Sequence, residues 1–463
     1  MKAIFPVLDE SRREPYYMQL YRYLKMAIIR GDIGEDERLP SLRNLSRSTG
    51  LSITTVEKAY DQLLVEGYIY SRSQSGFYAS HVASAGAATV PYENPIPEEK
   101  LYSLSEDLPP VPANADASWL YDPDCFDFNK WKKCMNRVLN EHSPALFFEG
   151  SPQGEIALRH EIARYLYQSR GVSCSPDQIV IGAGTQQITG HLSTILRSLQ
   201  VEHVALEDPG YAPVRNTFRD RGFAITSVEV AQDGLVLEKL PVNIRAAVYV
   251  SPSNHSFTGA VMPIGRRYEL IRWAIANDSY IIEDDYDSEL RYFGRPIPAL
   301  KSLTDDDRVI YLGSFSSTLF AAVKISYLVL PPQIAEIFYP QLKGYSQTCS
   351  KLEQLTLAMF METGAYQTHI RKLRKLYAQK LSLVTDLLRS EASDFIRVRS
   401  SASGIAVLLE VSSPKPAEQL KKDAESLGIP VSLNERLLLL YYNQIPSDEI
   451  SGCLRRLIHL WRS

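Results

Sequence analysis

The residues best able to do chemistry fall in three short segments. In Gly182-Ala-Gly-Thr-Gln-Gln187 a glycine-rich turn leaves an apolar run and opens a helix, which points the backbone N–H groups of Gly184, Thr185 and Gln186 at an anion such as a phosphate. Alone this is a weak motif. In Ile282-Glu-Asp-Asp-Tyr-Asp-Ser-Glu289 the acids follow directly on an apolar strand, where carboxylates are costly unless paired or put to use. Asp284 is placed there to hold a protonated ring nitrogen and Tyr286 to donate to a phenolate. Nearer the start of the chain, Ser52, Thr54, Thr55 and Lys58 put short polar side chains and one cation on the first turns of a helix, the means by which a helix-turn-helix meets phosphates and base edges.

The elements that must position these groups can be read from periodicity. Residues 15–31 show apolar positions at helical spacing between Pro15 and Gly31. Ser41 then caps a short helix from Leu42 to Ser48, and Ser52 opens a third helix that closes at Gly67. Two strand-like runs, Tyr68-Ile-Tyr-Ser-Arg and Gly76-Phe-Tyr-Ala, follow across Ser-Gln-Ser. Three helices and a hairpin make a winged helix-turn-helix over residues 1–79. Residues 80–116 turn to Ala, Ser, Pro and Glu without periodicity and read as a linker. From 117 to 463 short apolar runs at 178–181, 203–206, 246–250, 280–282, 309–311 and 327–330 alternate with helical stretches, predicting an α/β fold with a mainly parallel sheet covered on both faces. A long helical region after Pro331, to about Ser390, and a small α+β tail complete the chain.

Composition sets outer limits. With 463 residues, 45% hydrophobic and 22% charged, the chain is an ordinary globular protein of more than one domain. It has no run of eighteen apolar residues, and its first residues carry acids where a signal peptide needs an apolar stretch, so no membrane partner is expected and the cytoplasm is. The five cysteines are scattered, odd in number and not at metal-ligand spacing, which predicts neither disulfides nor a metal site. Net charge is −4 overall, yet residues 1–80 hold eleven Lys/Arg against ten Asp/Glu, a net of +1 that leaves −5 for the rest. That difference suits one DNA-facing surface without proving it.

Leu39-Pro-Ser-Leu-Arg43, Thr54-Thr-Val56, Ala59-Tyr60, Leu63, Glu66-Gly67-Tyr68 and Ser75-Gly-Phe77 resemble the GntR-type winged helix along nearly its full length. The resemblance implies that Ser52, Thr54, Thr55 and Lys58 enter the major groove, that Ser41 and Arg43 clamp the backbone, and that Arg72 and Gly76 in the wing reach the minor groove. Ile53 stands where that family commonly has Arg, which puts the operator sequence in question but not DNA binding.

The remaining motifs are Gly150-Ser-Pro-Gln-Gly154, Gly184-Thr-Gln-Gln187, Glu207-Asp-Pro-Gly-Tyr211, Ser251-Pro-Ser253 with Thr258-Gly259, Glu283-Asp-Asp-Tyr-Asp-Ser-Glu289 and Gly313-Ser-Phe-Ser316. In this order they resemble the MocR/GabR regulators, in which a GntR-type winged helix is fused to a fold-type I aminotransferase-like domain. That resemblance implies a pyridoxal phosphate site with the phosphate on Gly184, Thr185, Gln186, Ser314 and Ser316, the ring near Tyr211, and Asp284 and Tyr286 on its nitrogen and phenolic oxygen.

The departures gather at the chemistry. Ser317 replaces the lysine that would form the Schiff base, and Lys324 falls where a phosphate-binding arginine belongs. Ala321 and Ser326 replace proline and glycine, and Asn254-His-Ser-Phe257 replaces His-Gln-aromatic-Pro. Leu438-Leu-Leu-Tyr-Tyr442 lacks the arginine expected to hold a substrate carboxylate, with Arg436 the nearest substitute. Serine can neither form the Schiff base nor move the proton that transamination requires. The expectation is a homodimeric transcriptional regulator that binds operator DNA and senses a small molecule without transamination, has no catalytic residue and no metal, and holds pyridoxal phosphate, if at all, only non-covalently. Two alternatives stand beside it: an active aminotransferase with an accessory DNA-binding domain, and a structural dimeriser without a ligand.

Overall fold

The computed structural model describes residues 14–73, 75–82, 126–292, 297–304, 306–320, 322–400, 404–434, 437–443 and 445–463. The chain divides into two compact units, Met1–Pro109 and Pro110–Ser463. Most of the expected linker, together with Ala321 and Arg436, lies outside the described residues.

In the first unit α1 (Tyr16–Ile29), α2 (Leu42–Thr49) and α3 (Ile53–Val65) precede β1 (Ile69–Arg72) and β2 (Gly76–Ala79), which pair antiparallel. The helical spacing of apolar residues becomes a core of Leu20 and Leu24, Leu45, Val56, Ala59, Tyr60 and Leu63, closed by Ile69 and Ala79. The ends obey local chemistry. Ser41 Oγ accepts from Asn44 N at 3.3 Å, and Ser52 Oγ accepts from Thr55 N at 3.1 Å. Gly50 stops α2 in the left-handed conformation at φ 75.

In the second unit α4 (Phe128–Glu141) and α5 (Ile156–Arg170) lead into β3 (Ile179–Gly182), α6 (Gly184–Ser198), β4 (His203–Asp208), α7 (Ala212–Asp220), β5 (Ala224–Ala231), β6 (Gly234–Leu235), β7 (Ala246–Val250), α8 (Ile264–Ala276), β8 (Tyr280–Asp284), β9 (Val309–Ser314) and β10 (Ser326–Val329). Among the described residues these strands form one eight-stranded sheet in the order β3-β10-β9-β8-β7-β4-β5-β6. Five adjacent strands, β9 through β5, run parallel; β10 and β6 run against their neighbours. Successive residues of a strand enter different cores. Tyr327 and Val329 pack with Leu158 and Ile162 of α5, whereas Leu328 packs with Ile188 and Leu192 of α6. Both faces are therefore apolar and covered, as a parallel sheet requires.

The helical region after Pro331 is three helices, α9 (Pro332–Leu342), α10 (Lys351–Glu362) and α11 (Ala365–Glu391). Gly364 at φ 74 makes the last break. The tail holds β11 (Ile396–Ser400), β12 (Ala406–Val411), α12 (Ala417–Ser426), β13 (Val431–Asn434), β14 (Leu437–Tyr441) and α13 (Ile450–Arg462), with an antiparallel sheet in the order β11-β12-β14-β13. The buried Lys380 amine ties α11 to this sheet by donating to the carbonyls of Asn443 at 3.0 Å and Ile445 at 2.8 Å.

Arg267 of α8 gathers the loops beyond the strand ends. It is 1% exposed and donates to the carbonyls of Met262, Pro298 and Pro252 at 3.0, 2.7 and 2.8 Å. Arg267→Ala strands three buried acceptors and is expected to cost about 3 kcal/mol or more of unfolding free energy, read from the denaturant midpoint. A loss under about 1 kcal/mol would mean that water replaces the guanidinium at all three carbonyls.

Candidate ligand cavity and nucleic-acid interface

A cavity of about 360 Å3 lies at the carboxyl ends of β4, β7, β8 and β9, where Glu207, Tyr249, Asp284 and Ser314 reach it, the usual place for a ligand in an open α/β sheet. Its other wall comes from Gly404, Ile405, Ala406, Leu408, Ser432, Leu439 and Tyr441. Thr185, Tyr211, Asp284, Tyr286, Ser314, Ser316 and Ser317 all line it; Gly184, Gln186 and Lys324 are not among its lining residues. Lys324 is exposed.

The turn into α6 is built for close approach. Gly184 sits at φ +81, which favours glycine, and a Cβ on Gly182 would come within 2.0 Å of Gln187 Oε1, so a larger residue there would push the Gln187 side chain aside. α6 has no side-chain cap, which leaves its first N–H groups to a ligand. Across the cavity Ser314 Oγ lies 2.8 Å from Ser316 Oγ and accepts from Ser326 Oγ at 2.9 Å. Ser326, the departure from glycine, thus sends its hydroxyl beneath this pair.

Asp284 accepts from Tyr249 Oη at 2.6 Å, and burial raises its carboxyl to about 6. The next residue also lines the cavity but is paired. Asp285 meets the Arg170 guanidinium in two hydrogen bonds of 2.7 Å, and Ser288 and Tyr311 also donate to it. Asp287 is 2% exposed, at φ 52, and neither carboxylate oxygen accepts a hydrogen bond of good geometry. Burial raises it to about 7, which the hydroxyls of Ser317 and Tyr286 beside it partly oppose. Tyr249, Asp287 and Arg170 were not singled out by sequence reasoning. Only the acidic run gave any signal, and it did not separate the roles of its members.

The Asn254–Phe257 segment also lines the cavity. His255 Nε2 faces the Pro209 carbonyl at 3.0 Å and Nδ1 faces Thr258 Oγ1 at 2.8 Å. A carbonyl can only accept, so Nε2 carries the proton. Burial lowers His255 to about 4 and raises Glu207 to about 8, so their 3.7 Å contact joins two neutral groups at neutral pH. Leu439 and Tyr441 place an apolar surface where the expected substrate-binding arginine is missing.

On the DNA-binding unit, Ser52 Oγ lies 2.8 Å from Thr54 Oγ1 and 2.7 Å from Thr55 Oγ1, a hydroxyl cluster at the start of α3. Ser41, Arg43, Ser52, Thr54, Lys58, Arg72 and Gly76 are exposed, and Thr55 is half-buried. Lys58 Nζ lies 5.8 Å from the Tyr17 ring centre. Arg72 stacks on Tyr78 at 4.5 Å and bonds Asp36 Oδ1 at 3.2 Å, so it braces the wing before it reaches any groove. Ile53 is 46% exposed among these polar groups.

A winged helix and an aminotransferase-like body in one chain define a class of regulator. The gntR family of bacterial regulatory proteins matches residues 16–79, and aminotransferase class I and II matches residues 120–439. The HTH-type transcriptional regulator YdeL of Bacillus subtilis (strain 168) is 35% identical over 99% of both chains. The probable rhizopine catabolism regulatory protein MocR of Rhizobium meliloti is 31% identical, covering 92% of this chain and 88% of its own. LysN, an α-aminoadipate aminotransferase from Thermus thermophilus, shares the fold of the body with a TM-score of 0.65, at 23% identity over 74% of this chain and 90% of its own. The chain belongs to the MocR-type helix-turn-helix transcriptional regulators, DNA-binding proteins that carry an aminotransferase-like domain. No helix among the described residues is long and apolar enough to cross a membrane.

The buried acids give the fold a pH signature. Glu207 in an unfolded chain titrates near about 4.3, so its folded pKa of about 8 is raised and folding takes up a proton between these values. Its contribution to stability therefore declines as pH rises from about 4.5 to about 8. Glu207→Gln should flatten that decline in thermal melts run across the interval; an unchanged slope would show that the carboxyl is not protonated in the folded chain.

Proposed function

We propose that this regulator holds a phosphopyridoxyl-type small molecule non-covalently in the cavity and performs no transamination. One observation carries the reading: Ser317 lines the cavity, and none of the described residues lining it is a lysine. The donors suit a phosphate, with the α6 N-terminus, Thr185, Ser314 and Ser316 around it. Asp284, oriented by Tyr249, suits a pyridinium nitrogen, Tyr211 a ring face and Tyr286 a phenolic oxygen. Gly184 and Gln186 contribute backbone N–H groups, whereas Lys324 acts from the exposed rim. When bound, the cofactor would supply an electron-accepting ring. This chain's residues bind and orient it, but without an amine at position 317 none of them can form the Schiff base or shuttle the proton of transamination. The apolar wall at Leu439 and Tyr441 removes the clamp an amino-acid substrate would need.

The output is DNA binding by a cytoplasmic homodimer. The body, residues 117–463, dimerises and senses; residues 80–116 link it to the winged helix of residues 1–79. Ser52, Thr54, Thr55 and Lys58 enter the major groove, and Ser41 and Arg43 hold phosphates. Gly76 lets the wing approach the minor groove closely, and Arg72 joins it once released from Asp36.

Arg43→Ala and Lys58→Ala should each weaken binding to a native promoter and reduce the salt slope by about one. Unchanged affinity in both variants rules out this docking.

Ser317→Lys should restore a covalent, borohydride-reducible pyridoxal adduct at position 317, found by peptide mass spectrometry, without brisk turnover of amino acids. Absence of the adduct would show that the cofactor site has decayed beyond its lysine; fast single-turnover transamination would show that the apolar wall still orients a substrate.

A further inference from the structure

The cavity lining carries two kinds of group. Anion-binding donors are the uncapped turn of α6 and the hydroxyls of Ser314 and Ser316; carboxyls are Glu207, Asp284 and Asp287, with Asp285 already neutralised by Arg170. The lining arginine, Arg215, is committed to Ser227 Oγ at 2.7 Å and to the Glu207 carbonyl at 3.1 Å. Asp284 has the Tyr249 hydroxyl and Glu207 has the Ser251 N–H. Asp287 is 2% exposed and has the Ser317 and Tyr286 hydroxyls beside it, but neither of its oxygens accepts a hydrogen bond of good geometry. Arg291 flanks a hollow of about 10 Å3 next to Asp287, with Nε and Nη1 also unpartnered, and makes no ion pair with it. A buried carboxyl without a well-aligned donor is destabilising, and such a group persists where a ligand, water or ion meets it.

We propose that the ligand brings its own ammonium group and that Asp287 receives it, beside Ser317: the cavity selects pyridoxamine 5′-phosphate, the amine form of a phosphopyridoxyl compound. This rests on the phosphopyridoxyl reading of the cavity and deepens it. The chemistry of the lining matches this ligand group by group. Its phosphate meets the helix N-terminus and serine hydroxyls, its protonated ring nitrogen meets Asp284, and its aminomethyl cation meets Asp287, the carboxyl to which the chain gives no cation and no well-aligned donor. No covalent bond forms or breaks. Where a lysine side chain would have tethered an aldehyde, serine leaves room for an amine that arrives with the ligand.

Calorimetry on the full chain compares pyridoxamine 5′-phosphate with pyridoxine 5′-phosphate, which has the same ring and phosphate but a neutral hydroxymethyl group. The amine should bind roughly ten- to a hundredfold more tightly, as expected for a hydrogen bond between charged groups. Asp287→Asn should erase that preference, with the affinity for pyridoxamine 5′-phosphate falling about tenfold or more beyond any change in that for pyridoxine 5′-phosphate. Ser317→Lys, which places the chain's own ammonium at the same carboxyl, should erase it too and covers the case in which Asp287→Asn does not fold. Equal affinity for the two compounds in the unaltered protein, or a preference that survives either substitution, overturns the role of Asp287 and leaves the phosphopyridoxyl reading standing. Binding of neither compound overturns both.

Discussion

The buried pair of Arg170 and Asp285 is the constraint on which the cavity depends. Both side chains are almost completely enclosed, at 4% and 2% exposure. Desolvating two such charges is offset only when geometry is good and the remaining lone pairs are filled. Here they are: the guanidinium also donates to Ser253 and to the Ile297 carbonyl, and the carboxylate takes two further hydroxyls. Arg170 is the last residue of α5, and Asp285 directly follows β8. The pair therefore fixes the short segment that presents Asp284, Tyr286 and Asp287 on the cavity side. One acid of the run is consumed as an anchor so that its neighbours can be held without cations of their own.

Around that anchor the cavity is nearly free of mobile positive charge. His255 is held neutral, Glu207 is held protonated, and the nearby guanidinium groups of Arg170 and Arg267 are spent on backbone carbonyls and Asp285. In such surroundings a serine at position 317 bears on more than reactivity. It brings no cation to the carboxyls there, and the low-polarity setting magnifies the imbalance.

Much of this was legible in the sequence because the signals were local. The fully buried run Ala246–Val250 is a strand with the expected bounds, and the caps at Ser41 and Ser52 appear where serine precedes an amphipathic stretch. β5 was missed because Ala224–Ala231 lies toward the sheet edge and alternates polar with apolar residues, lacking the continuous apolar run of its neighbours. The helical stretch after Pro331 contains two breaks that the reading ran through, one at Gly344 to the capping Ser350 and one at Gly364. The motif residues Thr185, Tyr211, Asp284, Tyr286, Ser314 and Ser316 come together at one cavity although 131 positions separate the first from the last. Which acid is paired, which accepts a tyrosine hydroxyl and which has no well-aligned donor depends on contacts such as Arg170 to Asp285, 115 residues apart, and no spacing rule reaches that far.

The seam between the large sheet and the small C-terminal sheet runs through the cavity wall. Tyr292 and Tyr442 both donate to the Gly404 carbonyl at 2.6 Å, and a Cβ on Gly404 would come 3.2 Å from Asn254 Nδ2. The backbone at that point is clasped from two sides and has no room to yield locally. Gly404 is therefore a fixed point in the wall that both sheets share, and a molecule in the cavity meets residues of the large sheet and of the small one at once.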